Sequence, residues 1–235
     1  LKQASFLSES YHVVIANPPY MGNKGLNARL GEWAKKNYPN SKSDLFAMFI
    51  ERNLELVQKN GLVSMITMQS WMFLSSFAEL RNKLLTHSTI LSMAHLGARA
   101  FNTIGGEVVS TTAFVLNNYY SHEYQGDFIR LVDAESEIEK ANLMQKAIKN
   151  PDYGWFYRAS AADFKKFPGS AIAYWVSNSI LDAFAKSHNL REIVILRKGM
   201  VTANNDLFIR LWYEISLVKC GKGYPDRKKA KSSQK

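Results

Sequence analysis

The chain has 235 residues, 46% hydrophobic and 21% charged, which is enough apolar material for one cored domain with an appended one and excludes disorder over most of the length. Its formal net charge of +10 is uneven: Lys219 to Lys235 hold seven basic residues and one acid, a balance of +6, leaving 23 basic against 19 acidic residues, or +4, for residues 1–218. Cys220 is the single cysteine, no run of eighteen apolar residues exists, and the start lacks a charged-then-apolar export signal, so an intrachain disulfide, a thiolate metal cluster, membrane insertion and secretion are not expected and a cytoplasmic location is.

In chain order, Val13-Val14-Ile15-Ala16 reads as the end of a buried strand over residues 12–16, stopped by Pro18-Pro19. Residues 25–37 form a polar helix with Leu26, Leu30 and Trp33 on one side. Over residues 43–59, Leu45, Phe46, Phe49, Leu56 and Val57 recur at helical spacing, with Ser43 or Asp44 available as a cap. Asn60-Gly61 ends that helix, and Leu62 to Thr67 reads as a buried strand. A helix over 76–86 and strands over 90–96 and 108–116 follow, the last placed as an antiparallel edge hairpin. Strands alternating with helices require crossovers, hence an α/β fold with a mainly parallel sheet. After Asn118 the texture changes to a strand at Phe128–Val132, a charged helix at Glu135–Ile148, an aromatic strand at Tyr153–Tyr157 and a helix at 178–187. A domain boundary near residue 120 is therefore expected, with 1–120 a catalytic half, 121–218 a connecting and substrate-orienting α+β extension, and 219–235 a flexible basic tail.

The chemistry is concentrated at Asn17-Pro18-Pro19-Tyr20. Following a strand, this tetrapeptide makes a stiff loop where open α/β sheets place ligands. It offers an amide side chain, carbonyls whose neighbours lack N–H groups, and an aromatic ring. These parts suit a planar nucleobase amine, whose lone pair is delocalised into the ring. Accepting its two hydrogens on the Asn17 amide oxygen and the Pro18 carbonyl localises that pair, and Tyr20 offers a face to a base taken out of the helix. A rigid turn carrying a packed tyrosine is the alternative reading.

With this loop, the stretches Lys42 to Phe49, Asn60 to Thr67, Gln69-Ser70-Trp71, Leu80 to Leu85, His95-Leu96-Gly97 and Phe101 to Val109 resemble the S-adenosylmethionine-dependent, adenine-specific DNA methyltransferases that carry Asn-Pro-Pro-Tyr as a catalytic motif. The likeness is closest to the large methyltransferases of BREX/Pgl phage exclusion and to fused restriction-modification enzymes. It covers residues 11–118, and Lys198 to Phe208 looks like the lead into a target-recognition region. The resemblance implies a Rossmann-like methyltransferase sheet with Asn17, Pro18, Pro19 and Tyr20 as catalytic residues. It also implies Asp44, Leu45 and Phe49 against the cofactor, Tyr20 and Phe101 stacking on the base, and double-stranded DNA with a flipped adenine as partner.

Nothing before Tyr11 resembles the glycine-rich turn that holds the cofactor's methionine part, and residue 1 is Leu. The expectation is a fragment lacking the first strands of its sheet, with an incomplete cofactor site and little activity alone. It would partner the rest of the parent enzyme or self-associate through an unpaired sheet edge. Two other functions stay open: methyl transfer to protein glutamine or RNA guanine, and a non-catalytic binding or assembly role.

For several residues two readings stand. Leu45 and Phe49 also fit a helix's core stripe, Asp44 a helix cap, and Phe101 a loop anchor. Ser70 and Trp71 end a strand on the ligand side. Gly105-Gly106 lacks phosphate-loop spacing and reads as flexible backbone. The five histidines show no ligand spacing with one another or with Asp and Glu, so no metal site is expected. Tyr153, Trp155, Phe156, Tyr157, Tyr174 and Trp175 read either as half-buried strand aromatics or as a stacking surface for nucleic acid.

Overall fold

The computed structural model describes residues 2–101, 109–188 and 190–195. Its centre is a six-stranded sheet in the order β1-β2-β4-β3-β5-β6, formed by β1 (Tyr11–Ala16), β2 (Val57–Met68), β3 (Thr89–Gly97), β4 (Thr111–Asn117), β5 (Gln125–Arg130) and β6 (Phe156–Ser160). β1 runs parallel to β2 and β3 parallel to β5, while β4 lies antiparallel between β2 and β3. β6 is antiparallel to β5 at the outer edge. Four strands thus share one direction, the mixed sheet of a Rossmann-like α/β fold.

The helices are α1 (Lys2–Ser8), α2 (Ala28–Asn37), α3 (Leu45–Leu56), α4 (Ala78–His87), α5 (Glu137–Lys149), α6 (Ala161–Lys165), α7 (Asn178–Lys186) and α8 (Leu190–Ile193). Their starts follow capping chemistry: Asn27 accepts from Leu30 N, Ser136 from Glu139 N, and Ser160 exchanges bonds with Asp163 in a capping box. On α3, Phe46, Ala47 and Ile50 turn into the main core; on α4, Leu80, Leu84 and Leu85 do the same. They meet Val63, Met65, Phe114 and Leu116 of the sheet and Trp71 just after β2. On the other face, α5 sends Leu143, Met144 and Ala147 against Ile129 and Leu131.

Two buried polar anchors hold this layer. Arg81, 1% exposed, donates through Nη1 to the carbonyls of Trp71 (2.8 Å) and Leu74 (2.7 Å) and through Nε to that of Gly169 (2.9 Å). Buried Glu51 accepts from Ser41 Oγ and, at 2.8 Å, from Lys83 Nζ, which ties α3 to α4 and to the loop before α3.

Four expectations need correction. The strand over 108–116 is antiparallel but interior, because β5 adds to the free side of β3; β6 takes the antiparallel edge. The boundary near residue 120 falls inside one compact unit, Leu1–Ser187, since β5 and β6 continue the sheet and Phe128 shares the core of Phe114. β2 begins at Val57, before Asn60-Gly61, with Asn60 at a positive φ of 66° absorbing the irregularity. There Asn118 Nδ2 reaches the carbonyls of Leu54, Val57 and Gln58, replacing helical bonds. β5 and β6 are each displaced by about three residues from their apolar signals. Gly126 lies inside β5 because a Cβ there would stand 2.4 Å from Ile90 O, and Tyr153-Gly154-Trp155 is a turn, with Phe156 N donating to Tyr153 O.

Residues 188–235 form a second unit, of which α8 is the described element. The expected basic tail, Lys198 to Phe208 and Gly105-Gly106 lie outside the described residues. Among the described residues no helix is long and apolar enough to cross a membrane.

Candidate active site

Because β1, β2, β3 and β5 share a direction, their carboxyl ends open on one edge of the sheet, where ligands bind in folds of this kind. Asn17-Pro18-Pro19-Tyr20 leaves the end of β1 there. Asn17 is exposed and Pro18 buried. Among the described residues neither the Asn17 side chain nor the Pro18 carbonyl has a hydrogen-bond partner. Tyr20 is half-buried, its ring edge-on to Phe46 at 6.0 Å, and burial pushes its hydroxyl above the ordinary tyrosine pKa. One flank of the ring is fixed by the core while the rest stays accessible.

The loop's exit is clamped. Met21 N donates to Asp44 Oδ1 at 3.0 Å, Leu45 N to Met21 O at 3.0 Å, and Asn23 N to Ser43 O at 3.0 Å. Asp44 Oδ1 also caps α3 through Phe46 N at 3.3 Å. Burial raises the Asp44 carboxyl pKa, and the main-chain N–H bonds oppose that rise. A single carboxylate therefore fixes both the start of α3 and the departure of the loop that holds Asn17 to Tyr20.

Leu45 and Phe49, one helical turn apart, stand outside the buried core; Phe49 is 36% exposed. Both are therefore apolar side chains that the core of α3 leaves uncovered or partly covered. Phe101 is half-buried beyond the end of β3. Trp71 is entirely buried, donating from Nε1 to Thr67 Oγ1 at 3.1 Å and packing edge-on to Phe114 at 5.0 Å, so it supports the sheet from within.

A second cluster on the same edge is not foreshadowed by any motif. His95, 4% exposed near the end of β3, contacts Tyr174 OH through Nδ1 at 2.9 Å and Gln69 Oε1 through Nε2 at 2.6 Å. Gln69 Oε1 only accepts, so Nε2 carries the proton and Tyr174 donates to Nδ1. Burial first, then the Arg130 and Lys140 charges, pull the His95 pKa down to about 4. The signal available was position alone: Gln69 follows β2, His95 nears the end of β3, and Tyr174-Trp175 sit about eighty residues away with no spacing to join them.

A folded pKa of about 4 against an ordinary value of 6.5 means that the unfolded chain takes up a proton first as pH falls. The stabilisation is complete above pH 6.5 and is lost toward pH 4, by up to about 3 kcal/mol. Unfolding midpoints measured across that window should fall with acid, and His95→Gln should flatten the slope; an equally steep slope in the variant would assign the effect elsewhere.

The Rossmann-like fold is similar to that of the methyltransferase subunit of a type I restriction-modification system from Streptococcus thermophilus (TM-score 0.51, 14% identity, covering 70% of this chain and 37% of that one). Residues 2–101 match the family model of the Eco57I restriction-modification methylase. The chain is a homologue of two adenine-specific methyltransferases. It is 46% identical to BrxX of Escherichia coli O9:H4 (strain HS) over 218 residues, which are 92% of this chain and 17% of that protein. It is 45% identical to PglX of Lacticaseibacillus casei (strain Zhang) over 214 residues, 91% of this chain and 18% of that one. The chain thus spans under a fifth of the length of these curated relatives.

Proposed function

We propose that the protein containing this chain transfers a methyl group from S-adenosylmethionine to the exocyclic amine of adenine in DNA, in restriction-modification or phage defence. The observation that carries the proposal is a pair of acceptors at the end of β1 with no hydrogen-bond partner among the described residues: the amide of exposed Asn17 and the carbonyl of Pro18. The identity to two adenine-specific methyltransferases supports the choice of base.

In this reading the Asn17 amide oxygen and the Pro18 carbonyl each accept one amine hydrogen, which draws the nitrogen lone pair out of the ring and orients it. The proline ring fixes φ and holds the Pro18 carbonyl ready, so little rearrangement precedes reaction. Tyr20, braced by Phe46, presents its ring to the extruded base, and Phe101 is assigned to the same task. Leu45 and Phe49 hold the adenosyl part of the cofactor. Asp44 acts chiefly by fixing Met21 and the head of α3. When bound, the cofactor supplies an electrophilic methyl group.

The test is incubation of the full-length protein with radiolabelled S-adenosylmethionine and, separately, double-stranded DNA, RNA and a bacterial protein extract. Label is expected in DNA, released as N6-methyladenine on digestion. Label confined to protein or RNA would replace this reading with one of the other amino-methyl transfers.

A further inference from the structure

Beyond Asn17-Tyr20 the same sheet edge carries a prearranged aromatic surface with a cation on it. Trp175 lies edge-on to Phe73 at 5.6 Å and to Tyr174 at 5.0 Å and is tilted against His95 at 6.0 Å. The Arg130 guanidinium stands 5.8 Å from the Trp175 ring centroid. Trp175, Phe73 and Arg130 are all half-buried, whereas Tyr174 and His95 behind them are buried. The rear of the platform is locked by polar bonds: His95 bridges Tyr174 and Gln69, and Ile172 N donates to Met72 O at 3.0 Å. Tyr174 also stacks on Phe128 at 4.7 Å, which anchors the segment 172–175 in the core.

This arrangement is costly to build for packing alone. A buried, neutral histidine and a buried tyrosine hydroxyl are both satisfied so that one tryptophan stands rigid at the rim. A partly exposed ring held by Phe73 and Tyr174 at its edges loses little freedom on meeting a flat partner. Asp133 pairs with Arg130 Nη1, and among the described residues Nε and Nη2 have no hydrogen-bond partner. Trp175 therefore combines with Arg130 as one stacking face and one phosphate donor, the pairing that single-stranded nucleic acid selects.

Resting on the DNA reading above, we propose that Trp175, Phe73 and Arg130 form a second nucleotide subsite, which holds the strand bearing the target adenine a few nucleotides from the extruded base. β1 and β3 are three strand spacings apart, about 14 Å. With bases about 3.4 Å apart along a strand, that is roughly four steps. Trp175 and Phe73 receive a base or sugar face, and Arg130 its phosphate. The subsite is a binding element, separate from the methyl-transfer chemistry.

The test uses the full-length protein and a duplex fragment that the wild type methylates, with affinity measured at several salt concentrations. Trp175→Ala should weaken binding by about 5- to 150-fold, and Trp175→Tyr should restore most of it. Arg130→Gln should lower the magnitude of the log affinity against log salt slope by about one. Affinity for S-adenosylmethionine should stay unchanged in all three. If Trp175→Ala does not fold, as judged by circular dichroism, the half-exposed Arg130→Gln decides alone. Wild-type affinity and salt slope in the folded variants, alongside intact DNA methylation by the wild type, would overturn the subsite and leave the proposed function standing. A wild type that methylates no DNA would instead overturn the proposed function, and the subsite with it.

Discussion

Asn17→Ala in the full-length protein is expected to cut methyl transfer by about 100- to 1,000-fold while leaving DNA affinity and the unfolding midpoint close to wild type. The magnitude is that of losing one preorganised dipole aimed at a reacting centre. The selectivity follows from placement. Asn17 is exposed and unpartnered among the described residues, so truncating it breaks no internal bond and opens no cavity. The loop around it is held by other atoms, namely the Pro18-Pro19 rings and the Asp44 clamp on Met21. The measurement is single-turnover transfer of labelled methyl to DNA, with a thermal melt of the same preparation. Methylation within threefold of wild type would remove Asn17 from the chemistry, and a large fall in melting temperature would make it a structural residue.

The largest stability effect is expected at Arg81. Arg81→Met keeps an unbranched apolar stem but leaves three carbonyls without their donor, the buried one of Trp71 and the part-buried ones of Leu74 and Gly169. The buried unsatisfied acceptor costs about 1–3 kcal/mol and the two part-buried ones less, and removal of a buried charge offsets part of this, so a net loss of about 2–3 kcal/mol is expected. Urea unfolding followed by tryptophan fluorescence reads this directly, since fully buried Trp71 lies beside the guanidinium. A loss under about 1 kcal/mol would mean that water or a rearranged chain reaches those carbonyls.

Much of the fold was legible where pattern and chemistry agree. β1 ends where its β-branched run meets two prolines, and α3 begins at Asp44, one of the two caps considered. The α3 stripe was legible in period but not in phase. Phe46 and Ile50 take the core, while Leu45 and Phe49, on an adjoining face, stand outside it. Hydrophobicity alone does not say which side of a helix another element covers. β5 was obscured because Gln125, Gly126 and Asp127 are weak strand formers, admitted by a close main-chain approach to Ile90 that only tertiary structure creates. β6 was misplaced because the aromatic run Tyr153 to Tyr157 spends its first half in a turn.

The site divides in the same way. Asn17 to Tyr20 could be read locally because proline imposes its geometry on its neighbours. The His95, Gln69 and Tyr174 cluster could not, because three unremarkable residues acquire meaning only when strand order brings distant segments to one edge. Arg81 was legible only as part of a helical stretch, since nothing in its surroundings in sequence names the three carbonyls that it serves.

The antiparallel insertion of β4 has a kinetic consequence. β2, next to the strand that leads into Asn17 to Tyr20, acquires its second neighbour only when Thr111–Asn117 arrives to pair with Leu62–Met68. During ribosomal synthesis at about 5–20 residues per second, residues 69–110 must emerge first, a delay of a few seconds. A strand rich in valine, isoleucine and methionine waits that long with one flank open. Nascent chains stalled within that interval are where chaperone capture, or pairing with the wrong strand, should concentrate.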